Sequence, residues 1–329
     1  MTKTTRTQLG TTGPSVFPLA LGCMGMSKMY GPADEAESIA TIHAALERGV
    51  NLLDTGDFYG IGHNEMLIGR ALQGRRDQAL LSVKFGALRG PDGSFNGYDA
   101  RPVAVKNALA YTLSRLGVDH VDVYRPSRLD PAVPIEDTIG AIADLVKAGY
   151  VRHIGLSEVG PETIRRAAKV HPIVDLQIEY SLITRGPEDK IFPMLDELGI
   201  GVTAYGVLSR GLLTGSRPTG AGDFRAYLPR FTGAAGEQNA RLADVLATLA
   251  KARGATPAAL AFAWARAKRP SIVPLVGART RAQLADSLGA LAVTLSADEV
   301  TALEAAIRPD AVVGTRYAAQ QMASLDSER

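Results

Sequence analysis

Short apolar runs alternate with longer stretches of helical period along almost the whole chain. That alternation is what βα units around a parallel sheet require, and it speaks against a sandwich or a bundle. Strands are predicted at 19–21, 51–54, 79–84, 121–125, 151–155, 174–177, 201–204 and 271–274. Amphipathic helices are predicted between them, at 34–48, 101–116, 134–148, 161–169, 188–198 and 237–253. Eight such units close into a (β/α)₈ TIM barrel, an α/β fold that needs about 250 residues plus insertions. The 329 residues are read as one such domain, with a trailing tail from about 310.

Local signals agree with the count. Asp34 can cap the first helix, Pro161 suits a first turn, and Gly49, Gly117, Gly149 and Gly199 follow helix ends. Residues 8–16, with Thr12 and Gly13 at their middle, read as a hairpin plugging the barrel bottom. The stretches 86–99 and 215–236 exceed ordinary βα loops, and long loops at strand C-termini line a barrel's active site.

Composition narrows the partners. With 36 basic and 34 acidic residues well mixed and a net charge of +2, there is no electrostatic footprint for nucleic acid or an anionic membrane, so a small molecule is expected. The single cysteine, Cys23, rules out an intramolecular disulfide, and five scattered histidines give no metal-ligand spacing. The N-terminal segment carries Lys3 and Arg6 but no apolar core, and no membrane-length apolar run occurs, which points to the cytoplasm.

Asp54 ends the second strand, within Asp54-Thr55-Gly56-Asp57-Phe58-Tyr59-Gly60, and Lys84 ends the third. A buried Asp and Lys on neighbouring strands must pair. The ammonium would then lower the pKa of Tyr59 and make it a general acid. An ordinary barrel-mouth ion pair with a packed tyrosine fits the spacing equally well.

That segment, followed by Asn64-Glu65-Met66-Leu67-Ile68-Gly69, resembles the signature of the aldo-keto reductases. The likeness runs from Leu21-Gly22-Cys23-Met24-Gly25-Met26 to Gly277-Ala278-Arg279-Thr280, with motifs in the family's order. The resemblance implies catalytic roles for Asp54, Tyr59 and Lys84, with Tyr59 as proton donor. The family's fourth catalytic residue is a histidine, in a context that aligns without a gap to Asp122-Val123-Tyr124-Arg125-Pro126-Ser127-Arg128-Leu129-Asp130-Pro131 and places Ser127 at its position. Serine offers a hydroxyl where an imidazole would orient a carbonyl. Arg125 shares the inward parity of Ser127 and needs a carboxylate, with Asp54 or Glu179 in reach by strand-end position. Arg125 and Ser127 are expected to replace the histidine together and, with Met24, Phe58 and Tyr59, to line the substrate pocket; the alternative is a surface arginine turned out by a kink at Pro126.

No Gly-x-Gly-x-x-Gly follows the first strand, so a Rossmann site is not expected. The resemblance implies that Gly22, Met24 and Asp54 border the cofactor, that Ser157, Glu158 and Gln177 hold its carboxamide, and that Tyr205 stacks on its nicotinamide ring. Gly206, Leu208 and Arg210 would border the pyrophosphate. Gly277 and Arg279 precede a helix whose N-terminus suits an adenosine 2′-phosphate, which argues for NADPH/NADP. Gln283, Asp286 and Ser287 would face the adenosine. The expected activity is NADPH-dependent reduction of a C=O or C=N bond. A carbonyl is the target the resemblance implies, loss of the histidine leaves room for an imine-preferring reductase as the alternative, and an NADPH-binding regulatory protein, as among the potassium-channel β subunits that resemble the family, is the reading from another class.

Overall fold

A computed structural model describes residues 6–220 and 222–329; Lys3, within the N-terminal segment, and Ala221, within the 215–236 stretch, lie outside them. The strands are β1 (Thr7–Gln8), β2 (Ser15–Val16), β3 (Ala20–Gly22), β4 (Leu52–Gly56), β5 (Leu80–Phe85), β6 (Ala87–Arg89), β7 (Phe95–Tyr98), β8 (Val121–Pro126), β9 (Val151–Ser157), β10 (Ile173–Glu179), β11 (Gly201–Tyr205) and β12 (Ile272–Gly277). The helices are α1 (Glu35–Glu47), α2 (His63–Ala71), α3 (Pro102–Leu116), α4 (Ile135–Lys147), α5 (Pro161–Val170), α6 (Ile191–Leu198), α7 (Gly233–Ala252), α8 (Pro257–Lys268), α9 (Arg281–Leu288), α10 (Ala297–Ala306) and α11 (Ala319–Ala323).

Strands β3, β4, β5, β8, β9, β10, β11 and β12 pair in that order, all parallel, and β12 closes on β3 to complete a (β/α)₈ barrel. Side-chain alternation sorts each strand into two faces. Outward residues such as Leu53, Leu81, Val83, Tyr124 and Leu156 are buried against Ile42, Leu67, Leu109, Ile139 and Ile164 of the helical ring. Inward residues of β4 and β5 include Asp54 and Lys84, which reach the C-terminal end.

The N-terminal hairpin is present, and Leu9 and Val16 sit in one buried cluster with Ala20, Leu52, Val123, Val174 and Val273. Its left-handed residue is Gly10 at φ 62°, where a Cβ would stand 2.4 Å from the carbonyl oxygen of Val174, so the sharp turn falls earlier than the Thr12 and Gly13 pair suggests. Helix α6 begins later than residue 188, and Pro193 supplies the reason. A proline is accepted only in a helix's first turn, whose N–H groups have no intrahelical partner, so a start at 188 would have placed it too deep. Within the 86–99 loop, β6 and β7 form an antiparallel hairpin standing over the C-terminal face.

Beyond residue 310 the tail folds back over its own barrel. Asp326 Oδ2 accepts a hydrogen bond from the Gly160 amide at 2.7 Å, and Arg316 is 4% exposed. Among the described residues no helix is long and apolar enough to cross a membrane.

Candidate active site

A cavity of about 390 Å³ opens at the C-terminal ends of the strands. It is lined by Gly22, Met24, Asp54, Phe58, Tyr59, Lys84, Ser127, Ser157, Gln177, Tyr205, Gly206, Leu208, Arg210, Gly277, Arg279, Gln283, Asp286 and Ser287. Arg125 and Glu158 are absent from its wall. The sequence reading missed Tyr98 of the β6–β7 hairpin, Arg128, and Tyr317 and Gln321 of the tail.

Asp54 and Lys84 pair as their adjacent strands require. Lys84 Nζ lies 2.5 Å from Asp54 Oδ1, while Asp54 Oδ2 accepts from Ser82 Oγ at 2.9 Å and Gln177 Nε2 at 2.7 Å. All four side chains are nearly inaccessible. Lys84 Nζ sits 5.1 Å from the centre of the Tyr59 ring, which Phe58 contacts edge-on. The expected lowering of the tyrosine pKa does not follow. Burial first, then the negative charge of Asp54, pushes the Tyr59 hydroxyl well above its usual value, with Arg128 opposing. Burial and the Asp54 charge both favour the neutral hydroxyl, so Tyr59 is an O–H donor. Burial in turn lowers the pKa of Lys84, against the attraction of Asp54.

Ser127 lies in the cavity wall, its Oγ buried and without a hydrogen-bond partner among the described residues. Arg125 faces inward, as its parity demands, but one layer too deep to touch a ligand, which corrects its assignment to the substrate pocket. It is fully buried, and its partner is Asp175 at 2.9 Å rather than Asp54 or Glu179. Gly155 of the intervening β9 makes room for the pair, because a Cβ there would stand 2.6 Å from Asp175 Oδ1 and 2.9 Å from Arg125 Cζ. Arg125 also donates to Ser82 Oγ at 3.1 Å and so reaches Asp54 through one hydroxyl. Arg128 was passed over because strand alternation assigns odd numbers to the interior, a rule that ends with β8 at Pro126. It donates to the Ser127 carbonyl at 2.6 Å, to Ser157 Oγ at 3.4 Å and to the Tyr317 hydroxyl at 3.2 Å.

The cavity also suits a dinucleotide. Ser157, Gln177 and Tyr205 stand side by side where β9, β10 and β11 end. After Tyr205 the chain turns tightly through Gly206, Ser209, Arg210 and Gly211, all at positive φ, which brings backbone to the cavity edge. Arg210 is paired with Glu179 at 2.8 Å. The guanidinium of Arg279, at the N-terminal end of α9, donates to the carbonyls of Tyr30 and Gly31 and has no carboxylate partner among the described residues. A helix N-terminus beside an unneutralised guanidinium fits a phosphate group. Gln177 uses one amide N–H on Asp54, which leaves the rest of its amide for a carboxamide.

Glu158 does not serve there. Its carboxylate takes a bidentate contact from Arg316 at 2.9 and 2.7 Å, and Oε1 also accepts from the Tyr205 hydroxyl at 2.7 Å and the Glu179 amide at 2.9 Å. Arg316 and Arg128 hold the Glu158 carboxyl far below the usual range despite burial. A carboxylate so engaged has no lone pair left for a cofactor, and Glu158 becomes the anchor of the tail and of Tyr205.

The model of the aldo/keto reductase family matches residues 18–308. Probable aldo-keto reductase 1 of Glycine max is 40% identical over 319 residues, covering 94% of this chain and 91% of that protein. Among solved structures, the glycerol dehydrogenase AKR11B4 from Gluconobacter oxydans superposes with a TM-score of 0.82 at 28% identity, over 96% of this chain and 99% of that one. The aldo-keto reductase AKR11C1 from Bacillus halodurans does so with a TM-score of 0.72 at 27% identity, over 95% and 99%. A match of this extent, on a closed barrel with an Asp, a Tyr and a Lys at its C-terminal mouth, shows that the chain belongs to the aldo/keto reductase family of nicotinamide-dependent oxidoreductases.

Proposed function

We propose that this protein reduces the carbonyl group of a small molecule with NADPH, and that Tyr59 delivers the proton. The observation that carries the reading is the Tyr59 hydroxyl in the cavity wall with the paired Lys84 ammonium 5.1 Å from its ring, where burial keeps the phenol protonated. When bound, NADPH supplies the hydride. Tyr59 donates a hydrogen bond to the carbonyl oxygen and then its proton, while Lys84 stabilises the negative charge left on the phenol oxygen. Asp54 keeps Lys84 in place, and Ser82 and Gln177 keep Asp54 in place. Ser157 and Gln177 would hold the carboxamide, and Tyr205 would pack on the ring. Arg279, without a carboxylate of its own, favours NADPH over NADH.

Of the two bonds the sequence leaves open, C=O is retained. Arg128 puts a guanidinium with no directly paired carboxylate among the described residues in the wall, which opposes a protonated imine. The test is NADPH oxidation against paired aldehydes, ketones and cyclic imines. Tyr59→Phe should lower kcat by roughly 10²- to 10⁴-fold with NADPH affinity retained, and Ser127→His should shift preference toward aldehydes. Binding of NADPH with no turnover of any substrate, in wild type and variants alike, would instead support a regulatory role.

A further inference from the structure

The cavity's cations fall into two groups. Lys84, Arg210 and Arg225 are each neutralised by a carboxylate, from Asp54, Glu179 and Asp223. Arg89, Arg128 and Arg279 line the same cavity without a carboxylate partner among the described residues. Arg279 stands at the helix end suited to the cofactor's phosphate, and Arg89 on the hairpin at the mouth. Arg128 stands at the reacting end, in one wall with Tyr59, Lys84 and Ser127.

Its three acceptors, the Ser127 carbonyl, Ser157 Oγ and the Tyr317 hydroxyl, are all neutral. The nearby acid, Glu158, is already held at both oxygens by Arg316. Arg128 feels the Glu158 charge only at a distance, without an ion pair to it among the described residues, and its planar fork matches the two oxygens of a carboxylate. Beside it the buried Ser127 hydroxyl has no hydrogen-bond partner among the described residues. Buried polar groups left unpaired call for an explanation, and a ligand oxygen is one that serves both residues together. Serine at this position leaves the space an imidazole would fill.

We propose that Arg128 and Ser127 form a carboxylate subsite and that the substrate is an oxo acid, a carbonyl compound that carries its own carboxylate. This rests on the reading of the cavity as a reductase site. A single arginine with one hydroxyl fits the two oxygens of a carboxylate better than the larger acceptor set of a phosphate.

The experiment measures kcat/KM for two matched pairs, phenylglyoxylate with its methyl ester and 4-carboxybenzaldehyde with its methyl ester, using NADPH and the full chain. Wild type should favour the acid of at least one pair by tenfold or more, with the gain in KM. Arg128→Met should bring that acid-to-ester ratio close to one, and Arg128→Lys, which keeps the charge and loses the fork, should fall between. NADPH fluorescence titration checks that each variant is folded. A wild-type ratio near one in both pairs overturns the subsite, as does a ratio that survives in Arg128→Met. If no carbonyl compound is reduced, the reductase reading fails on its own, and calorimetric titration of phenylglyoxylate into the NADP-loaded protein decides the subsite. Binding that Arg128→Met abolishes supports it; no binding, or binding that Arg128→Met leaves intact, overturns it.

Discussion

A buried charge pair in the middle of the barrel does two things at once. Arg125 and Asp175 are fully buried, with Thr203 donating to Asp175 Oδ2 at 2.6 Å and Ser82 linking Arg125 to the carboxylate of Asp54. Removing one partner leaves a naked charge, which costs about 3–5 kcal/mol, whereas replacing both with apolar side chains is often close to neutral. Arg125→Met should therefore lose about that much in urea unfolding at pH 7, and adding Asp175→Leu should recover most of it. A single-variant loss below about 1 kcal/mol would mean that the pair is not held as two charges. The inward direction of Arg125 was legible from alternation along β8. Its partner was not, because the pairing skips a strand, and only the missing side chain at Gly155 permits that. Arg128 was illegible for the converse reason: it lies just past the point where alternation stops carrying information.

Among the elements, the tail changed most between sequence and structure. Its existence was readable from the end of the βα pattern, but its destination was not, because Arg316 finds carboxylates on β10 and just past β9 that no local pattern connects to it. Arg316 binds Glu158, lies 3.5 Å from Glu179 Oε2 and reaches Glu328 at 2.7 Å. Glu158 is a non-glycine residue at φ 54°, a conformation kept only where its surroundings insist on it. Through the Tyr205 hydroxyl this clamp also fixes the ring expected beneath the nicotinamide. Arg316→Ala should cost about 3–5 kcal/mol at pH 7 and weaken NADPH binding, the latter read by fluorescence titration. The pH dependence has a definite sign. Glu158 has a depressed pKa in the folded state, so its contribution is present above the unfolded carboxyl value of about 4.3 and is lost as the pH falls below it. Wild type should then lose more stability than Arg316→Ala between pH 5 and 3 in matched unfolding curves. Parallel curves would show that the clamp carries no net electrostatic stabilisation.

For the molecule as a whole, the barrel order was legible because one pattern repeats, and each repeat constrains its neighbours even where single boundaries slip, as at α6. Hairpin β6–β7 escaped because its glycines and polar residues read as loop. The barrel's two ends divide the labour, and β11 shows the spacing. At Gly201 it meets the plug, where a Cβ would stand 2.5 Å from the Gly10 amide; at Thr203 it joins the Arg125–Asp175 pair; at Tyr205 it lines the cavity. Four residues of strand span about 13 Å, with a rigid polar layer between. Leu9, fully buried in the plug cluster, should thus bear on stability alone. Leu9→Ala removes a buried side chain from a packed interior, a change worth about 2–5 kcal/mol, and should lower the denaturation midpoint while KM and the NADPH dissociation constant stay within about twofold, since 1.4 kcal/mol of coupling would already give tenfold. A changed KM would show instead that strain at the bottom of the barrel passes through the Arg125–Asp175 layer to Asp54, and that the charge pair transmits strain between the two ends.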